Sequence, residues 1–222
     1  MTSKRLRRAA AVVALAYIAV QGFQDYVYRA LPEPSTPADE LIQGAMPLHL
    51  ARSTAMLFAM FGLIFLYGVI CLQRVRARPV LAGAAFLCFF VFGLLEIGLR
   101  STELFWTQIR LPAAYAASHD PAIVDQMATF QAVQGALYFP LQLSTLIGAI
   151  AMLFLFETPP QINWVIRAAL AVNVLRIATR MLTLYAGIPL FPTGAYESVY
   201  IILVLLFYVP VAYWLFKLDD PG

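Results

Sequence analysis

The chain has 222 residues, 62% of them hydrophobic and 12% charged, with a mean hydropathy of +0.78. Soluble domains carry about 25% charged residues, so this composition excludes a soluble core and points to a bundle of membrane helices. The net charge of +3 does not mark a nucleic-acid partner, because Lys and Arg cluster beside apolar stretches, where they act as topology signals.

Crossing a hydrocarbon core of about 30 Å takes roughly 20 apolar residues in a helix. Such stretches lie near 9–29, 51–73, 79–100, 130–156, 163–187 and 197–217, which predicts an all-α, polytopic membrane bundle of six transmembrane helices in a single domain. The first follows Lys4, Arg5, Arg7 and Arg8 as a signal peptide would. It runs on through Phe23 to Tyr28 without a small-x-small cleavage site, and so reads as a span. Residues 30–50 form an outer loop rich in proline (Pro32, Pro34, Pro37, Pro47), expected to be extended or irregular. The basic turn Arg74-Val75-Arg76-Ala77-Arg78 joins the second span to the third. The second outer loop, 101–129, begins amphipathically with Leu104, Phe105 and Ile109 and then carries Ser118-His119-Asp120-Pro121. That run is a helix-start signal, with Asp120 as N-cap and Pro121 in the first helical position, so the fourth helix is expected to begin above the membrane.

Basic residues at the amino terminus, in the 74–78 turn, at Arg167 and at Lys217 fall on one side, and the acidic 30–50 loop (Glu33, Asp39, Glu40) on the other. The positive-inside rule then places both termini in the cytoplasm of a cell membrane such as the bacterial inner membrane. Trp164 and Trp214 are expected at the inner interface, and Tyr26, Tyr28 and Trp106 at the outer one.

Ionisable groups inside spans are costly and usually face the bundle interior, which makes each a candidate for function. Span three carries Glu96, Arg100 and Glu103 on one helix face; span five carries Asn173, Arg176 and Arg180 on one face. Span four carries the stripe Gln131, Gln134, Tyr138, Gln142 and Thr145; span one adds Gln21, Gln24, Asp25 and Tyr28, and span six begins with Glu197 and Tyr200. Counted from the span ends, Gln21, Gln142 and Asn173 lie near mid-membrane and the ionisable groups in the outer half. The stripes thus agree on one level, which predicts a polar pocket open to the outer face. Glu96 and Asp25 are the candidate proton donors or acceptors. Arg100, Arg176 and Arg180, with Arg52, offer forks for a carboxylate or phosphate, and Gln131, Gln134, Tyr138, Gln142 and Asn173 would orient the substrate. The competing reading is a hydrogen-bonded structural plug.

Other chemistry is poorly represented. Cys71 and Cys88 have no CxxC spacing, His49 and His119 lack ligand-spaced neighbours, and no GxSxG occurs, so no metal, cofactor or serine nucleophile is expected. Ala10-x-x-x-Ala14 allows close helix approach, either inside the bundle or toward another membrane subunit. Pro140 and Pro210 interrupt helices four and six and free backbone carbonyls. The expectation is an integral membrane enzyme acting by acid–base, cyclase- or isomerase-type chemistry on an amphipathic or isoprenoid-like substrate. Its partners would be a hydrophobic or amphipathic small molecule and membrane lipid. In size and helix count the chain looks like the small integral membrane terpene cyclases, whose acids protonate an olefin or epoxide. It also resembles the substrate-binding subunits of vitamin importers, which keeps a solute-binding or transport-associated subunit, with a membrane-protein partner, as the alternative. A structural or assembly protein is the third.

Overall fold

The computed structural model describes residues 3–157, 162–188 and 195–218, leaving aside the side chains of 195–198. Every regular element among the described residues is helical: α1 (Lys4–Ala30), α2 (Pro37–Gly44), α3 (Pro47–Leu72), α4 (Pro79–Thr102), α5 (Leu111–Ser118), α6 (Pro121–Leu155), α7 (Asn163–Tyr185) and α8 (Ala195–Lys217). A π-helical stretch, Glu103–Arg110, joins α4 to α5 without a break. Five helical stretches are long and apolar enough to cross a membrane: Lys4–Ala30, Pro47–Leu72, Pro79–Ser118, Pro121–Leu155 and Val199–Lys217. Such a set is compatible with a multi-pass membrane protein. The 23 residues of α7 give it the length of a span, but Arg167, Arg176, Arg180 and two asparagines dilute its apolar run, and it does not join that set.

Helix starts follow side-chain chemistry. Ser3 Oγ accepts from Leu6 N at 3.3 Å, Thr36 Oγ1 from Asp39 N at 3.1 Å, and Asp120 Oδ1 from Ala122 N at 3.0 Å, each satisfying a donor the helix itself leaves open. Proline sits in the first turn of α2, α3, α4 and α6, where its missing N–H costs nothing. The 30–50 loop is therefore not simply extended or irregular as expected. Thr36-Pro37, followed by Asp39 and Glu40 in the first turn, starts a helix by the same chemistry as Asp120-Pro121. The Asp120 start itself falls where the sequence predicted it.

The long helices close a ring in the order α1, α3, α4, α6, α7, α8 and back to α1. Ala10, Ala11 and Ala14 are fully buried where α1 lies between α3 and α8, so the small-residue stripe serves packing inside the bundle. On α6, a Cβ at Gly148 would come within 2.9 Å of Phe89 Cε2 and 3.1 Å of Cys88 Cβ, so α4 and α6 approach closely only because that side chain is absent.

The end of the ring that carries Lys4 and Lys217 is apolar inside, with Phe156 and Trp214 edge to face at 5.0 Å. Trp214 is fully buried rather than set at an interface, because Asn163 Oδ1 accepts its indole N–H at 3.3 Å and lets the whole ring leave water and lipid. Trp164 is exposed. The 74–78 turn is tied to α6 at this end: Arg78 donates to the Phe154 carbonyl at 2.6 Å and pairs with Glu157 at 3.6 Å. At the opposite end α2, the π-helical stretch and α5 form a cap over a second small core of Leu41, Leu111, Ile123 and Met127.

Candidate functional site

Glu96, Arg100 and Glu103 follow one another at helical spacing toward the capped end of α4, which brings them onto one face. Arg100 Nε donates to Glu96 Oε2 at 3.2 Å and Nη1 to Glu103 Oε2 at 2.6 Å. The second cation comes from α3, where Arg52 Nη2 donates to Glu103 Oε1 at 2.6 Å. Arg52 is 2% exposed and also donates to Ser53 Oγ at 2.9 Å and to the Tyr28 hydroxyl. The result is a chain of alternating charge, Arg52–Glu103–Arg100–Glu96, with no net charge of its own. Burial of this kind is tolerable only when each ion is paired. Glu103 also opens the π-helical stretch, a geometry that collects at functional sites.

Beside the ion chain lies a cavity in two parts. The outer basin, about 1200 Å³, opens beneath the cap, and an inner chamber of about 90 Å³ continues it into the ring. Tyr17, Glu96, Tyr138, Arg180 and Tyr200 line both. Aromatic rings make up much of the chamber wall. Tyr17 and Tyr208 have centroids 4.7 Å apart, Tyr67 stacks on Phe89 at 3.8 Å, and the Tyr67 and Tyr208 hydroxyls lie 3.3 Å apart.

Glu197 aside, the structure brings the polar residues singled out along the spans to this cavity. Asp25, Arg100, Gln131 and Gln134 line the basin, Gln142, Asn173 and Arg176 the chamber, and Glu96, Tyr138 and Arg180 both. Their surroundings set them apart. Asp25 pairs with Arg29 at 2.9 Å and is a third exposed, a rim position rather than a buried one. Gln131 Nε2 donates to Glu40 Oε1 at 2.8 Å and ties α6 to the cap. Gln134 Nε2 and Arg100 Nη2 each reach the Tyr138 hydroxyl at 3.4 Å. With Nε, Nη1 and Nη2 all engaged, Arg100 has little left with which to grip a substrate anion. Glu96 contributes only Oε2 to this pairing, and Oε1 has no hydrogen bond among the described residues.

Arg176 donates through Nε and Nη2 to Asn173 Oδ1 at 3.2 and 2.9 Å and stands 5.9 Å from the Tyr200 ring centre. Tyr200 in turn donates to Gln21 Oε1 at 3.1 Å. The side chain of Glu197 lies outside the described residues. Gln142 and Asn173 are 6% and 1% exposed, and Gln142 Oε1 and Asn173 Nδ2 have no hydrogen-bond partner among the described residues.

Sequence reasoning passed over Tyr17, Tyr67 and Tyr208, which build the chamber wall. Their one signal is a hydroxyl within an otherwise apolar run, and a phenol there reads equally as core. In the cap, Asp39 is held below the ordinary aspartate range, first by the Ser35 hydroxyl at 2.5 Å and then by Thr36. Among the described residues no group of three or more His, Cys, Asp or Glu is placed to hold a metal ion. No family model, curated protein or solved structure matches the chain.

Proposed function

We propose that this chain is an integral membrane enzyme that acts on an amphipathic or isoprenoid-like substrate by acid–base chemistry. In this reading six helices span the membrane, with both termini in the cytoplasm. The basic residues of the amino terminus, the 74–78 turn, Arg167 and Lys217 support that orientation. The place of α7 in the ring, between α6 and α8, supports counting it as a span whose polar face turns to the chamber instead of to lipid.

The observation that carries the reading is the position of Glu96, 9% exposed on the wall common to a wide polar basin and an aromatic chamber. A substrate would lie in the basin with its reactive end at the chamber mouth. Glu96 takes a proton from a carbon next to a double bond or carbonyl and returns it at another position, an isomerisation that conserves protons and electrons. Delivered first to an olefin or epoxide, the same proton starts a cyclisation, and the closing cation returns a proton to the carboxylate. Arg100 orients that carboxylate throughout. The faces of the surrounding tyrosines attract a developing positive charge. Asp25, at the rim, is suited to exchanging protons with water.

A solute-binding subunit ranks lower because the stripe offered for a partner helix, Ala10-x-x-x-Ala14, is already used within the ring. Mass spectrometry of lipid extracts tests the proposal in cells expressing the wild type, Glu96→Gln or Asp25→Asn. A compound that accumulates or disappears with the wild type alone is expected. Turnover that persists in Glu96→Gln removes the acid–base mechanism.

A further inference from the structure

We infer that the inner chamber recognises a neutral hydroxyl, of an alcohol or phenol, on the buried end of the ligand, which donates to Gln142 Oε1 and accepts from Asn173 Nδ2. The inference rests on the cavity being the substrate site proposed above and names the group it selects. Buried polar atoms are almost always satisfied. Here Gln142 Oε1 and Asn173 Nδ2 are not, each closed off on a side chain 6% or 1% exposed, and both side chains belong to the lining of one space of about 90 Å³. They are of opposite sense, one acceptor and one donor, and a hydroxyl answers both through a single oxygen.

The sense of Asn173 is set by its neighbour. Arg176 Nε and Nη2 both donate to Oδ1, and a guanidinium has no lone pair with which to receive an amide N–H, so Nδ2 is directed elsewhere. Charge points the same way. Of the ion chain only Glu96 reaches the chamber, paired with Arg100, and the chamber's own cations, Arg176 and Arg180, already have partners within the protein, so none of them is held in reserve for a carboxylate or phosphate. Size sets the last limit. A dry cavity of about 150 Å³ accepts benzene, so a chamber of about 90 Å³ takes a hydroxyl with a few carbons and leaves the remainder of an amphiphile in the basin.

The test is ligand binding to the full chain in nanodiscs, read as an apparent Kd from ligand-induced thermal shifts. The probes are farnesol, the hydrocarbon farnesene, the aldehyde farnesal and farnesyl phosphate. Farnesol is expected to bind at least ~10-fold more tightly than the other three, since a site built around a hydroxyl rejects analogues that lack it. Gln142→Leu should abolish the preference while leaving the Tm of the ligand-free protein unchanged or higher, because an unsatisfied group has gone. Gln142→Met provides the same removal should the leucine variant fold poorly. Equal binding of farnesol and farnesene would mean that the chamber holds only water, and would overturn the inference, as would a preference for the aldehyde or phosphate. A Tm loss in both Gln142 variants, with the farnesol preference intact, would also overturn it. Glu96→Gln separates the two proposals: it should keep the farnesol preference whatever its effect on turnover, whereas loss of turnover without any such preference defeats only the hydroxyl subsite.

Discussion

Replacing Glu103 by leucine probes the ion chain at the point where its two arginines meet. The carboxylate accepts from Arg52 and Arg100 at 2.6 Å each, and those side chains are 3% and 12% exposed. Leucine has a similar volume but leaves Arg100 with Glu96 alone and Arg52 with no anionic partner among the described residues. Breaking a buried pair by removing one member costs about 3–5 kcal/mol, against about 0–1 kcal/mol for an exposed pair. The low exposure of both arginines places Glu103→Leu in the first class. For a chain of this size that amounts to a fall in Tm of roughly 6–20 °C. Adding Arg52→Met to Glu103→Leu removes the stranded charge together with its partner and should recover most of the loss. Thermal unfolding of the three variants and the wild type in one detergent, followed by circular dichroism, measures both effects. A loss below ~1 kcal/mol for Glu103→Leu, or costs that simply add in the double variant, would refute the idea of a buried, mutually dependent chain.

Two further outcomes follow from the packing and the cap. Gly148→Ala should destabilise by about 1–3 kcal/mol through overpacking against Phe89 and Cys88. Gly22→Ala, where a Cβ meets nothing within 4 Å, should be neutral or gain about 0.5–1 kcal/mol, and paired denaturation curves compare the two. Because Asp39 titrates lower in the folded cap than in an unfolded chain, its contribution is present above the ordinary aspartate value and is lost as pH falls through the depressed one. Amide protection in α2, taken relative to the free-peptide exchange rate at each pH, should therefore fall in that acidic window. Ser35→Ala should move the onset to higher pH, and an unmoved onset would discount the Ser35 hydroxyl.

The parts of the site legible in the sequence are those governed by local periodicity. Glu96, Arg100 and Glu103 share a face because the helix turns about 100° per residue, and the same geometry joins Arg176 to Asn173. Long-range partners are not encoded locally. Nothing around Arg52 announces that Glu103 will answer it from another helix. Composition also misleads where one residue type has two uses. Four prolines in 30–50 read as a loop, yet Pro37 and Pro47 each begin a helix. Trp214 near a helix end reads as an interfacial anchor until Asn163, on a different helix, supplies its acceptor.

The closure of the ring between α1 and α8 has a consequence for biogenesis. Gln21 is 1% exposed on the first helix, and its carbonyl is satisfied by Tyr200 on the last. Among the described residues its amide nitrogen meets only Met56 Sδ at 3.5 Å, a weak acceptor. Until α8 closes the ring, that carbonyl lacks the Tyr200 hydroxyl that satisfies it in the finished fold, and a buried acceptor left so carries a penalty. The penalty is lifted only when α8 arrives. Closing the seam and answering the first helix's buried amide are therefore one event, and a chain without α8 would keep both an open ring and an unanswered carbonyl.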